Sequence, residues 1–185
     1  MVNYYTYLEI FLDDLDKRIN LGEFEKYFKI PHQTIRKYLD ILVKANILIE
    51  EKKERLRLYW INKGNPLVFD YISICEKQRL DNLLKNSLFK SLYAHVSPHF
   101  NKNNILIFGS SVNGANFKDI DLFVISKDNE IKKILRKFEQ TYSIKLHIIQ
   151  TNEKDISKPF IKELIKSHII LNNHDYFVNL LYKNG

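Results

Sequence analysis

Two apolar runs flank a short polar connection within Ile105–Ser126. The first ends in Gly109-Ser110-Ser111 and the second opens with Asp119-Ile120-Asp121. In a strand, residues i and i+2 point the same way, roughly 6–7 Å apart at about 3.3 Å per residue. Asp119 and Asp121 can therefore converge on one ligand. Neighbouring carboxylates repel unless a positive charge sits between them. A hard divalent cation suits the pair, and Mg²⁺ is commonly held by one or two carboxylates plus substrate phosphates. Gly109 lets the backbone approach a phosphate, and the Ser110 hydroxyl can donate to it. Ser111 and Lys118 bound the connecting loop and complete the candidate nucleotide contacts.

The elements around this stretch must hold the two ends together. Ile105–Phe108 and Asp119–Ile125 read as strands, Asn129–Tyr142 as a helix, and Ser143–Gln150 as a third strand. Pro159–Ser167 is expected to be helical, followed by Ile169–Leu171 and Asp175–Leu181. Strand parity in the third run puts Lys145, His147 and Ile149 on one face and Ile144, Leu146 and Ile148 on the other. His147 can act as a general base near neutral pH; it is a poor ligand for Mg²⁺.

Phe108-Gly109-Ser110, the short loop, and Asp119-Ile120-Asp121-Leu122 resemble the signature of the polymerase-β-type nucleotidyltransferase superfamily. The likeness spans roughly residues 104–181 and is greatest to the minimal nucleotidyltransferase branch, whose closing pattern HIILNNHDYF also resembles. It implies a small mixed-sheet α/β palm. Gly109 and Ser110 would grip the triphosphate of a nucleotide such as ATP, and Asp119 and Asp121 would hold Mg²⁺. A third carboxylate on a neighbouring strand would complete the metal site. An acceptor hydroxyl would attack the α-phosphate and release pyrophosphate. Minimal enzymes of this branch often serve as antitoxins that nucleotidylate a HEPN-type toxin, so the resemblance implies a protein or a small molecule as acceptor. Three features depart from the family pattern. The slot for the third carboxylate falls on Lys145 or His147. Only eight residues, Ser111–Lys118, separate Ser110 from Asp119. Asn113 stands where arginine is usual, leaving Lys118 as the substitute cation.

Residues 1–65 read as a separate domain. Tyr4–Ile19 has helical spacing, with Asn20 and Gly22 expected to end it. Glu23–Phe28 is a short second helix, Lys29-Ile30-Pro31 a turn, and His32–Asn46 a third helix. The third helix has a core stripe of Ile35, Leu39, Leu42 and Val43. A hairpin follows: Ile47–Glu50, a charged turn Glu51–Glu54, then Arg55–Ile61. Its second strand alternates Leu56, Leu58 and Trp60 with Arg55, Arg57 and Tyr59. This order resembles a winged helix-turn-helix, whose second helix reads the major groove of double-stranded DNA. Gln33, Thr34 and Arg36 are the candidate base contacts, with Lys37, Arg55 and Arg57 on phosphates.

Between these domains, residues 66–103 trace an apolar helical stripe, interrupted near Glu76–Arg79, that reads as a helical connector and a candidate homodimer surface. The expected class is therefore α+β: a winged helix-turn-helix (1–65), a connector (66–103) and a nucleotidyltransferase palm (104–185). The 185 residues carry a net charge of +7, a modest excess that allows nucleic-acid contact without demanding it. A single cysteine, Cys75, excludes an internal disulfide, and no apolar run is long enough to span a membrane. A cytoplasmic location follows as the expectation. Two functions fit: a Mg²⁺-dependent nucleotidyltransferase, or a DNA-binding regulator whose transferase-like domain is an inactive sensor or docking module.

Overall fold

The computed structural model describes residues 4–54, 56–113 and 117–183, so Arg55 and the loop tip 114–116 lie outside it. The chain divides into two compact units, Met1–Cys75 and Glu76–Gly185.

The first unit opens with a short 3-10 helix, Tyr4–Phe11, rather than the long helix that the periodicity predicts. Asp14 is one reason: its Oδ1 accepts the Asp16 N–H at 2.9 Å, a local bond that competes with the helical ladder. The apolar positions are buried all the same, among them Tyr7, Leu8, Phe11, Leu12, Leu15 and Ile19. Asn20, expected to stop a helix, starts one. It follows Ile19 in the two-residue strand β1 (Ile19–Asn20) and caps α1 (Leu21–Phe28) in a reciprocal capping box with Glu23. Lys29, with φ 54°, ends α1, and Pro31 directly precedes α2 (His32–Lys44). β2 (Leu48–Lys53) and β3 (Leu56–Ile61) form an antiparallel hairpin, and β1 pairs with β3 to give the order β1-β3-β2. β2 runs through residues expected in the turn; the chain reverses at Glu54, where φ is 54°. The buried face of β3 is that of Tyr59 and Ile61, while Leu56 is 57% exposed. Tyr59 sets this choice by packing edge-on against Phe24 and donating its hydroxyl to Glu50.

In the second unit, residues expected as a connector are part of the core. α3 (Val68–Leu83) contains the boundary between the units and runs unbroken through Glu76–Arg79. The chain turns instead at 84–86, where Asn86 caps α4 (Ser87–Val96). Leu80, Leu83, Phe89, Leu92 and Val96 are buried with Ile105, Ile107, Ile120, Leu122 and Val124 of the sheet. At roughly 1.5–3 kcal/mol for each large apolar side chain, that burial makes the two helices a layer of the domain. The sheet has the order β6-β5-β4-β7, built from β4 (Asn104–Phe108), β5 (Asp119–Ile125), β6 (Lys145–Thr151) and β7 (His168–Ile170). β5 and β6 are parallel and joined by α5 (Glu130–Tyr142); the other pairings are antiparallel. α5 packs Ile131, Leu135 and Phe138 onto the same core.

The opposite face of the sheet carries Asp119, Asp121 and Phe123, alternating with the buried Ile120, Leu122 and Val124. α6 (Lys158–Lys166) covers part of this face: Phe160 meets Phe108 and Phe123 edge-on. α7 (His174–Val178) and a π-helical turn, Asn179–Lys183, close the unit. Among the described residues no helix is long and apolar enough to cross a membrane.

Candidate active site

The strand register assembles the site. β4 and β5 pair Phe108 with Asp121, which sets the turn after β4 beside the opening of β5. On the other side of β5, Asp119 faces Lys145 and Asp121 faces His147. The parity argument for Lys145 and His147 thus meets its geometry. His147 Nδ1 lies 3.3 Å from Asp121 Oδ1 and 3.6 Å from Asp119 Oδ2. The three side chains are partly open to solvent, at 31% for Asp119, 23% for Asp121 and 47% for His147.

Gly109 occupies a left-handed conformation with φ 74°, and a Cβ there would lie 2.6 Å from Asp121 Oδ2. Its first role is therefore steric, since only glycine leaves room for that carboxylate. Its main-chain polar groups are already engaged. The Gly109 N–H donates to the Ser167 carbonyl at 3.2 Å, and the Ser167 hydroxyl donates to the Gly109 carbonyl at 3.0 Å. The 3-10 turn Gly109–Asn113 then exposes Ser110 and buries Ser111, whose hydroxyl reaches back to the Phe108 carbonyl at 3.4 Å. Of the expected nucleotide contacts, Ser110 and Lys118 are exposed, and Ser111 is turned into the fold.

Behind β7 lies a buried polar cluster. Glu76 is inaccessible to solvent. Arg79 donates to both of its oxygens, at 3.2 and 3.1 Å, and the Tyr182 hydroxyl donates to Oε1 at 3.2 Å. His168 Nε2 is 3.1 Å from the same oxygen, and His168 Nδ1 donates to the Leu164 carbonyl at 2.9 Å. Burial by itself would raise the Glu76 pKa. The charges of His168 and Arg79 and the hydrogen bonds from His168 and Tyr182 outweigh it and lower the pKa to about 2. In the sequence this glutamate shows only as a gap in an apolar stripe. That gap is the one signal that could have marked it, because a carboxylate on a helix's core face needs partners. Ser167 carried no comparable signal.

In the first unit, Gln33, Thr34, Arg36 and Lys37 are all exposed, on the side of α2 away from the buried Ile35, Leu39 and Leu42. Arg57 lies 2.6 Å from Glu50, bound to a carboxylate of the neighbouring strand.

A glycine turn after one strand, two carboxylates opening the next, and a helical layer behind the sheet define a nucleotidyltransferase palm. The family model for the central palm domain of poly(A) RNA polymerase, mitochondrial-like, matches residues 68–172. The match covers more than half of the chain, and the chain belongs to this family. The match begins in α3, 36 residues before the stretch in which the resemblance is visible by motif, so the matched region takes in α3 and α4. No curated protein and no solved structure matches the chain.

The family implies a nucleoside triphosphate and a divalent metal. Asp119 and Asp121 are hard oxygen donors on one open edge, which suits Mg²⁺ held together with phosphate oxygens. Among the described residues, no group of three or more His, Cys, Asp or Glu side chains is placed to hold a metal ion alone.

Proposed function

We propose that the C-terminal unit transfers a nucleoside monophosphate from a triphosphate, ATP foremost, to a hydroxyl acceptor. One observation carries the reading: Asp119 and Asp121 share an open sheet face, and Gly109 leaves the space that Asp121 occupies. Bound between those carboxylates, Mg²⁺ would neutralise charge on the phosphates. Ser110 and Lys118 are the exposed groups that would contact phosphate oxygens. His147, beside both carboxylates, is the group available to take the acceptor's proton. The bond formed joins the acceptor oxygen to the α-phosphorus, and pyrophosphate leaves. The family takes its name from a poly(A) RNA polymerase, which adds an RNA end to the protein and small-molecule acceptors suggested by the minimal branch. A HEPN-type toxin is the protein acceptor that the antitoxin reading requires.

Purified protein incubated with α-labelled ATP and Mg²⁺, together with an oligoadenylate RNA or a cell lysate, should yield a labelled product. Asp119→Asn with Asp121→Asn should abolish it. Labelling that persists in the double variant, or none with any acceptor, would sink the proposal.

A second reading concerns the first unit and coexists with the first. The arrangement of α1, the turn at Lys29–Pro31, α2 and the β2–β3 hairpin supports a winged helix-turn-helix that binds double-stranded DNA. Exposure of Gln33, Thr34, Arg36 and Lys37 on a single side of α2 favours it. DNA affinity should fall with salt at about −0.9 in log–log slope for each phosphate contact. Arg36→Ala with Lys37→Ala should weaken it. DNA binding without nucleotidyl transfer would mark a regulator whose palm serves as a sensor or docking module. A salt-insensitive affinity, or none, would remove this second reading.

A further inference from the structure

We infer that Ser167 is a positioning residue for the nucleotide site, an inference that rests on the nucleotidyl-transfer reading above. Both main-chain polar groups of Gly109 are held by this one residue. The Gly109 N–H donates to the Ser167 carbonyl, and the Ser167 hydroxyl donates to the Gly109 carbonyl. The two bonds close a ring between the start of the Gly109–Asn113 turn and the junction of α6 with β7. Gly109 adopts φ 74°, a region that glycine enters at little cost and can also leave at little cost. Something must hold it there. β4 supplies no ladder partner on this side beyond Phe108, which pairs with His168. The Ser167 clamp extends the pairing by one residue past the strand.

Ser167 is itself fixed. Its N–H donates to the Leu164 carbonyl at 3.3 Å. The next residue, His168, donates to the same carbonyl and contacts the buried Glu76. A chain of named contacts therefore runs from Glu76 through His168 and Ser167 to Gly109, and Gly109 abuts Asp121 Oδ2. If the glycine left its left-handed conformation, the direction of the backbone into Ser110 would change, and with it the space beside Asp121. Ser167 needs to touch neither nucleotide nor metal to act on binding.

Two measurements on Ser167→Ala and Ser167→Thr test this. The first is amide exchange at Gly109 in the ligand-free protein, followed by NMR. Alanine should speed it about fivefold, the effect of losing one hydrogen bond of ordinary strength; threonine, which keeps the hydroxyl, should restore it. The second is the Kd for α,β-methylene-ATP with Mg²⁺, measured by calorimetry. Alanine should raise it about five- to tenfold with the melting temperature little changed, and threonine should rescue it. Unchanged Gly109 exchange in Ser167→Ala overturns the hydroxyl's part in the clamp, on which the positioning role rests, whether or not nucleotide binds. An unchanged Kd in a protein whose wild type binds the analogue overturns the positioning role. A wild type that fails to bind the analogue overturns the nucleotide reading itself and the positioning role with it, while exchange still reports on the clamp.

Discussion

His147 Nδ1 sits 3.3 Å from Asp121 Oδ1 because β5 and β6 run parallel with those two residues in register. Of the two positions, 145 and 147, on which the superfamily resemblance puts a third carboxylate, the second thus holds an imidazole beside both Asp119 and Asp121. His147→Asp should convert the edge into a three-carboxylate site and tighten Mn²⁺ or Mg²⁺ binding by on the order of tenfold through the added ligand charge. A metal titration in the presence of α,β-methylene-ATP checks this. Weaker metal binding in the variant would show that position 147 does not face the cation.

Gly109→Ala should be costly for two separable reasons. A left-handed conformation disfavours any side chain by roughly 1–2 kcal/mol, and the new Cβ would meet Asp121 Oδ2 at 2.6 Å. Thermal unfolding should shift down by about 5 °C or more, with nucleotide binding lost. Binding retained at wild-type affinity would show that the turn does not shape the site.

Glu76 ties stability to acid. Its folded-state pKa is lowered from 4.5 to about 2, so its contribution is fully present above pH 4.5 and is lost as pH falls toward 2. Glu76→Gln leaves His168 and Arg79 without their carboxylate and should cost about 3–5 kcal/mol at neutral pH. Below pH 4.5 the wild type should lose stability faster than the variant, a difference that denaturant melts across pH will reveal. Parallel pH profiles would mean that Glu76 is not ionised in the fold.

His174 acts over a different range. Burial lowers its pKa from 6.5 to about 4, with Lys77 adding to the effect and the carboxylates of Glu76 and Asp175 opposing it. Its Nε2 is buried without a hydrogen-bond partner among the described residues. Protons bind the unfolded chain first, so stability should fall as pH drops from 6.5 to 4. His174→Gln should flatten the profile in that interval and leave the Glu76 loss below it. A variant that follows the wild type from pH 6.5 to 4 would refute the assignment.

Short-range chemistry was readable in the chain. Strand parity placed Asp119, Asp121, Lys145 and His147, because alternation needs only a strand and not its neighbours. The β5 bounds, Asp119–Ile125, and the stripe Ile35, Leu39 and Leu42 follow from the same periodicity. Periodicity misjudged Tyr4–Ile19, where an Asp side chain competes for the backbone. It also treated residues 66–103 as a connector, since an apolar stripe does not say which surface it will meet.

What the sequence by itself determined is the identity and spacing of the groups that could bind a phosphate and a cation. The tertiary structure alone decided how they are held. The Gly109–Ser167 clamp joins residues 58 apart in sequence, and Glu76–His168 joins residues 92 apart. No local pattern encodes such pairs, because hydrogen bonds depend on distance in space and the chain brings these groups together only when β4, β7 and α3 have packed. Gly109 shows both levels: its type permits the left-handed turn, while Asp121 and Ser167, one against its missing Cβ and one on its peptide groups, make that turn necessary.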